Sequence, residues 1–217
     1  QQISSTQLAT IFALSKLAES RDPETGAHLE RMQEYCRILA VHLATQPAFS
    51  AEITPAFIQD LYAASPLHDI GKVGIPDQIL RKPGPLTAEE FEIMKTHAAL
   101  GATTLQAVDA QHPGNAFVAM GVQIAAAHHE RWNGRGYPNA LAGQQIPLAG
   151  RIVALGDVYD ALTSKRCYKE PMPHEQARDI IVGESGKHFD PAIVQAIIEL
   201  EPHFMSIRKK FQDPEDA

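Results

Sequence analysis

Apolar residues recur along this chain three and four positions apart, which is the spacing of one helix face, and the pattern is overwhelmingly helical. Leu8, Ile11, Leu14 and Ala18 give the first stretch an apolar stripe, which Pro23 and Gly26 then interrupt in RDPETG. A second helix is predicted from about Ala27 to Leu43, with His28, Met32, Tyr35 and Leu39 on one face. A third opens at Thr54 and Pro55, a cap followed by proline in the first turn, and aligns Phe57, Leu61, Ala64 and His68. Gly71 to Pro85 reads as a loop, ended by Thr87 in capping-box spacing with Glu90.

The helix after that loop sets Met94, His97, Gly101 and Leu105 in register. Beyond a polar loop around 111–115, the next aligns Val118, Val122, Ala125 and His129, with Gly121, Ile124 and His128 on the adjoining row. A long ordered loop punctuated by Gly134, Gly136, Pro138, Gly143 and Pro147 leads to a helix whose face carries Gly150, Val153, Ala154, Asp157 and Ala161. A last amphipathic helix is predicted over Pro191 to Leu200, followed by a solvated tail from Arg208. The abrupt helical start, without an initiator methionine, fits a first helix that continues from an upstream regulatory domain.

With 217 residues, 44% apolar and 21% charged, the chain has material for one substantial core. Its longest nearly apolar run, Phe117 to Ala127, falls short of the roughly 20 residues a membrane span requires, and the polar N-terminus does not resemble a signal peptide. The expected compartment is therefore the cytoplasm, with no membrane partner. Cys36 and Cys167 form no CxxC motif and read as reduced structural thiols. A net charge of −7 argues against DNA or other broad nucleic-acid binding. A small anionic ligand stays compatible, because bound divalent cations reverse the local field.

The candidate chemistry lies in histidines that fall on inward helix faces: His28, His68, His97, His128 and His129. A single histidine on such a face is more often a hydrogen-bonded core residue than a ligand, but here the pattern recurs on four predicted helices. Asp69 adjoins His68, and Asp157 lies on a later helix face. Glu24 precedes His28 by one turn, where the helix dipole alone also favours a carboxylate. The remaining histidines, His42, His112, His174, His188 and His203, sit near helix ends or in turn-rich segments and read as surface or capping residues.

Imidazole and carboxylate without thiolate suit Fe, Mn, Ni, Co or Zn. An aspartate beside a histidine can bridge two ions while its neighbour binds one, and such a centre generates hydroxide at neutral pH for attack at phosphorus. Phosphoester hydrolysis is the reaction class this set suits. Lys72, four residues after His68, reads either as a solvated loop lysine or as a charge that stabilises a phosphate or leaving oxygen. Arg166 and Lys169 are open to the same two readings.

In order, RDPETGAH, HDIGKVGIPDQIL, KPGPLT, MKTHAALG, HHERWNGRGYP, IPLAGRIVALGDVYDALTSKRCYK and GKHFDP resemble the HD-GYP family of cyclic di-GMP phosphodiesterases, within the HD metal-dependent phosphohydrolases. The resemblance implies an all-α HD-domain bundle of about seven helices with an ordered GYP loop. It assigns one metal to His28, His68, Asp69 and Asp157 and a second, sharing Asp69, to His97, His128 and His129. Glu24 matches a glutamate that supports a third ion in some members. Two or three divalent ions follow, Fe or Mn favoured over Ni, Co or Zn. Asp69 and Lys72 would be catalytic, and Lys72, Gly136, Tyr137, Pro138, Arg166 and Lys169 would contact substrate. Asn133 departs from the aspartate common at its position, which implies a weaker local interaction.

The function expected from this resemblance is hydrolysis of cyclic di-GMP by a metal-bridging hydroxide, giving pGpG as the first product; further cleavage to GMP is typical of the family. The alternatives are a cyclic di-GMP sensor or protein-interaction module with little turnover, and an HD phosphohydrolase of another nucleotide. The GYP loop is expected to contact a diguanylate cyclase domain, and a receiver-like regulatory domain is expected upstream, as in two-component signalling. The organisation expected is a linker helix over 1–20, a catalytic domain over 21–205 and a tail over 206–217.

Overall fold

A computed structural model of the protein describes residues 5–21, 27–165 and 170–212. The all-α expectation holds: among the described residues there are ten α-helices and no strand, only two isolated β-bridges. They are α1 (Ser5–Glu19), α2 (His28–Leu43), α3 (Pro55–Ala64), the single turn α4 (Asp77–Leu80), α5 (Ala88–Gln111), α6 (Ala116–Ala127), α7 (Leu148–Thr163), α8 (His174–Gly183), α9 (Pro191–Glu199) and α10 (Glu201–Lys210). None is long and apolar enough to cross a membrane.

Helix α2 runs through the middle of the bundle and packs against α3, α7, α9 and α10. Leu29, Met32, Tyr35, Cys36, Leu39 and Leu43 lose essentially all exposure there. The Tyr35 ring stacks on Phe204 of α10 at 4.8 Å and meets Tyr159 of α7 edge-on at 5.2 Å, which locks three helices through one aromatic cluster. Burial pushes the Cys36 thiol up in pKa, so it stays a neutral core residue.

The predicted caps form. Thr54 accepts from the Phe57 amide at 3.1 Å with Pro55 in the first turn of α3. Thr87 and Glu90 exchange both bonds of a capping box at the start of α5. Asp190 caps α9 through the Ala192 amide.

Several expectations need correction. His68 does not extend α3: the helix ends at Ala64, because Pro66 has no N–H for the Tyr62 carbonyl. That carbonyl accepts instead from the Gln33 amide at 2.9 Å and the Ser65 hydroxyl at 3.3 Å, while 65–67 tighten into a 3₁₀ turn that delivers His68. The stretch read as a loop from Gly71 to Pro85 holds a 3₁₀ segment, Ile70–Gly74, and α4, whose Ile79 and Leu80 join Ile75 in a small satellite core.

On α1 the inward residue is Ser15, 1% exposed, whereas Leu14 is 56% exposed. The stripe is displaced because this helix packs over the HDIGK turn rather than over a wholly apolar surface. The tail expected from 206 does not begin there. Pro202 starts α10, Phe204 and Ile207 bury against the core, and the helix runs to Lys210. His174 is also not a surface residue: it opens α8, is buried, and shares a 2.9 Å hydrogen bond with the Tyr159 hydroxyl. Glu24, Arg166, Lys169 and Cys167 lie outside the described residues.

Candidate metal centre

Three of the site histidines find an anchor for the back of the ring on their own helix or turn. The Nδ1 of His68 lies 2.9 Å from the Ser65 carbonyl, that of His97 2.7 Å from the Met94 carbonyl, and that of His128 3.1 Å from the Ile124 carbonyl. Carbonyls only accept, so Nδ1 carries the proton and the Nε2 lone pair is left for another partner. For His28 the anchor is the Asp160 carboxylate, 2.8 Å from Nδ1.

These Nε2 atoms converge. The ligand atoms of Asp69, His97, His128 and His129 lie within 4.8 Å of one another, and those of His28, His68 and Asp157 form a second such group. Asp69 stands between the two. Its Oδ1 is 3.1 Å from His97 Nε2 and 3.5 Å from His128 Nε2, while its Oδ2 is 3.4 Å from His68 Nε2. The Nε2 atoms of His68, His97 and His128 and Oδ1 of Asp69 are buried without a hydrogen-bond partner. Three orphaned imidazole nitrogens and an orphaned carboxylate oxygen buried together would be costly in a bare protein, and divalent cations held in the two ligand groups would satisfy them. The donor set therefore fits a divalent metal centre.

Burial works to raise the Asp69 carboxyl, but Lys72 and then His68 hold it well below the usual carboxylate range. Lys72 Nζ sits 2.7 Å from Asp69 Oδ2. For His68, burial works against the charged ring, yet Asp69, Asp157 and Glu19 together push it up to about 10. That half of the pocket attracts positive charge. His128 and His129 are driven the other way, by burial first, and for His129 next by the His128 ring, so both favour the neutral state that ligation requires.

Two contributors escaped the sequence reading. Glu19, at the end of α1, brings Oε1 to 3.8 Å from His28 Nε2, a ring that also lies 3.9 Å from Asp157 Oδ1. Its signal was the spacing of Leu8, Ile11, Ser15 and Glu19, which share a face once α1 is turned by one position. Asp160 lies one turn after Asp157, so it looked like another position on the same helix.

The GYP loop folds back over the histidines. Gly136 passes so close to the chain at 130–131 that a Cβ would fall 2.3 Å from the Arg131 nitrogen and 2.4 Å from the Glu130 Cα, and only glycine fits. Tyr137 consequently stacks on the His129 ring at 4.6 Å and meets His97 edge-on at 6.4 Å; its peptide bond to Pro138 is cis. The buried Glu130 carboxylate accepts from the amides of Asn139 at 2.7 Å and Leu141 at 3.0 Å, fixing the return of the loop. Asn133 Oδ1 accepts from the Arg135 amide at 3.1 Å, a turn contact its amide oxygen makes. In the GKHFDP segment, Asp190 pairs with Arg151 at 2.6 Å, a structural role.

Sequence comparison agrees with this arrangement: the model of one protein family, described as HD domain, matches residues 13–193. The chain belongs to the HD domain family. Within it, the motifs from RDPETGAH to GKHFDP place this HD domain in the HD-GYP branch. It is 52% identical over 213 residues to a cyclic di-GMP phosphodiesterase of Vibrio cholerae serotype O1, covering 98% of this chain and 43% of that protein. It is 41% identical over 208 residues to 3'3'-cGAMP-specific phosphodiesterase 2 of the same organism, covering 96% of this chain and 37% of the other. The chain thus spans less than half the length of these curated relatives. Among solved structures, a cyclic GMP-AMP specific phosphodiesterase of V. cholerae superposes with a TM-score of 0.60 at 21% identity, covering 92% of this chain and 50% of that chain, a likeness of fold.

Proposed function

We propose that this HD domain is a metal-dependent phosphodiesterase that hydrolyses cyclic di-GMP to pGpG and onward to GMP. The observation that carries the reading is Asp69, whose two oxygens face two separate groups of ligand atoms. His28, His68 and Asp157 would hold one ion and His97, His128 and His129 the other, with Asp69 common to both. When bound, divalent ions supply an activated water and neutralise charge on the phosphodiester. The nitrogen and oxygen donors are compatible with Fe, Mn, Ni, Co or Zn, and the family resemblance favours Fe or Mn. A third ion at Glu24 belongs to the same reading, though Glu24 lies outside the described residues.

The protein's own groups do the rest. The Nδ1 anchors fix each imidazole's orientation, so ligand geometry is set before substrate arrives. Lys72 keeps Asp69 ionised and presents an ammonium beside the site, where it would stabilise the phosphate and the departing 3' oxygen. Gly136, Tyr137 and Pro138 wall one side of the centre and would seat a guanine-bearing ligand. Arg166 and Lys169 are proposed to hold its phosphates from outside the described residues.

The same reading places activity in a catalytic unit over 21–205 with α1 leading from a receiver-like input domain, in the cytoplasm. A diguanylate cyclase domain would dock on the GYP loop. The test is chromatography of purified protein with cyclic di-GMP, with Fe, Mn, Ni or Zn supplied in turn and 3'3'-cGAMP as the comparison substrate. Appearance of pGpG under at least one metal is expected. Binding without product under every metal would instead mark a sensor, and preferential loss of 3'3'-cGAMP would reassign the substrate.

A further inference from the structure

His28 differs from the other anchored histidines in what stands behind it. The His68, His97 and His128 rings lean on neutral carbonyls, whereas His28 Nδ1 meets a carboxylate oxygen, Asp160 Oδ2, at 2.8 Å. That carboxylate is gripped from its other side by Arg31, with Nε 2.6 Å from Oδ1 and Nη2 3.1 Å from Oδ2. Arg31 Nη1 in turn donates to the Phe211 carbonyl at 2.9 Å. All three side chains are 2% exposed.

The arrangement follows from helical spacing on two facing helices. His28 and Arg31 lie one turn apart on α2, and Asp157 and Asp160 one turn apart on α7. The rung nearer the site pairs His28 Nε2 with Asp157 at 3.9 Å, and the rung behind it pairs His28 Nδ1 and Arg31 with Asp160. Phe211 follows α10, which lies past residue 193, where the family match ends. A residue beyond the stretch that the HD domain model matches therefore closes the chain of contacts.

We propose that Asp160 and Arg31 are positioning residues for the metal centre: Asp160 fixes the His28 ring with Nε2 toward the site and strengthens it as a donor, and Arg31 holds Asp160 in the geometry to do so. A carboxylate behind an imidazole sharpens its orientation and raises its basicity, and loss of such a partner typically weakens metal binding about 10–100-fold. The ion held by His28, His68 and Asp157 would depend on this support, while the ion held by His97, His128 and His129 would not. The inference rests on the two-ion reading above.

The competing explanation is a buried ionic brace that ties α2, α7 and α10 together and has no bearing on the metals. Titration of the metal-free 217-residue chain with cobalt(II), followed by visible absorption, separates the two, with circular dichroism to confirm folding. Asp160→Asn should weaken one cobalt equivalent about 10–100-fold and leave the other unchanged. Arg31→Lys, which keeps the charge, should restore most of the affinity that Arg31→Met loses. Where Asp160→Asn fails to fold because Arg31 is left as an unbalanced buried charge, the double variant Asp160→Asn, Arg31→Met removes that charge and should show the same weakened equivalent. Two unchanged cobalt affinities in a folded variant would overturn the positioning role and leave the phosphodiesterase reading intact. A wild-type chain that takes up no cobalt would overturn both.

Discussion

Gly71, inside HDIGK, is the position where one methyl group should do most damage to the site. A Cβ there would lie 2.0 Å from the His97 carbonyl oxygen and 2.5 Å from the Gly101 nitrogen, both backbone atoms of α5. Ordinary contact begins at 3.4 Å, and no rotamer change relieves a backbone clash. The turn would have to withdraw by roughly 1 Å or more. Overpacking of this kind costs about 1–3 kcal/mol, and in a chain of this length each kcal/mol lowers Tm by about 2–4 °C. Gly71→Ala should therefore lower Tm by about 2–12 °C. The same withdrawal moves Asp69 away from His97, now 3.1 Å apart, so bound metal should fall as well. Differential scanning calorimetry and elemental analysis of the same preparation read both effects. A Gly71→Ala protein with wild-type Tm and metal content would refute the close-approach argument.

Three further outcomes follow from the geometry. Lys72→Ala should retain its metals yet slow cyclic di-GMP hydrolysis by about 100–1,000-fold, the range for losing one electrostatic stabiliser, as measured in steady-state kinetics; an unchanged kcat would return Lys72 to a structural role. Glu130→Gln keeps one acceptor where two amides now bond, so it should cost about 1–3 kcal/mol in urea denaturation and raise KM by loosening the loop that carries Tyr137. His188, held down to about 4 by burial and then by Arg131, binds its proton more readily unfolded than folded. Its contribution is complete above the unfolded pKa of 6.5 and is lost as pH falls through about 4, a difference on the order of 3 kcal/mol. His188→Gln should flatten that part of the stability profile, and identical acid profiles would exclude it.

The histidines of the candidate metal centre were legible as a group because helical spacing carries them to one side of the bundle, whatever the caps and breaks between them do. His68 reached its place by a route the spacing did not describe, since Pro66 ends α3 and a 3₁₀ turn completes the approach. Glu19 and Asp160 were not legible for a common reason. Each is a polar residue on an inward face, and an inward polar position reads as solvent-facing until its partner, contributed by another helix, is known. His174 was misread because α8 is short and its buried positions, His174, Ala177 and Ile181, mix polar and apolar types. Helix α10 was hidden behind Pro202, which reads as a stop but here occupies the first turn.

Asp69 stands between two groups of ligand atoms, and metal content per chain, measured by elemental analysis on wild type and Asp69→Ala after identical loading and desalting, tests most directly whether it serves both. About two ions per wild-type chain and a clear loss in the variant, accompanied by abolished cyclic di-GMP turnover, are the predicted results. Equal metal content and equal turnover in the two proteins would contradict the shared centre.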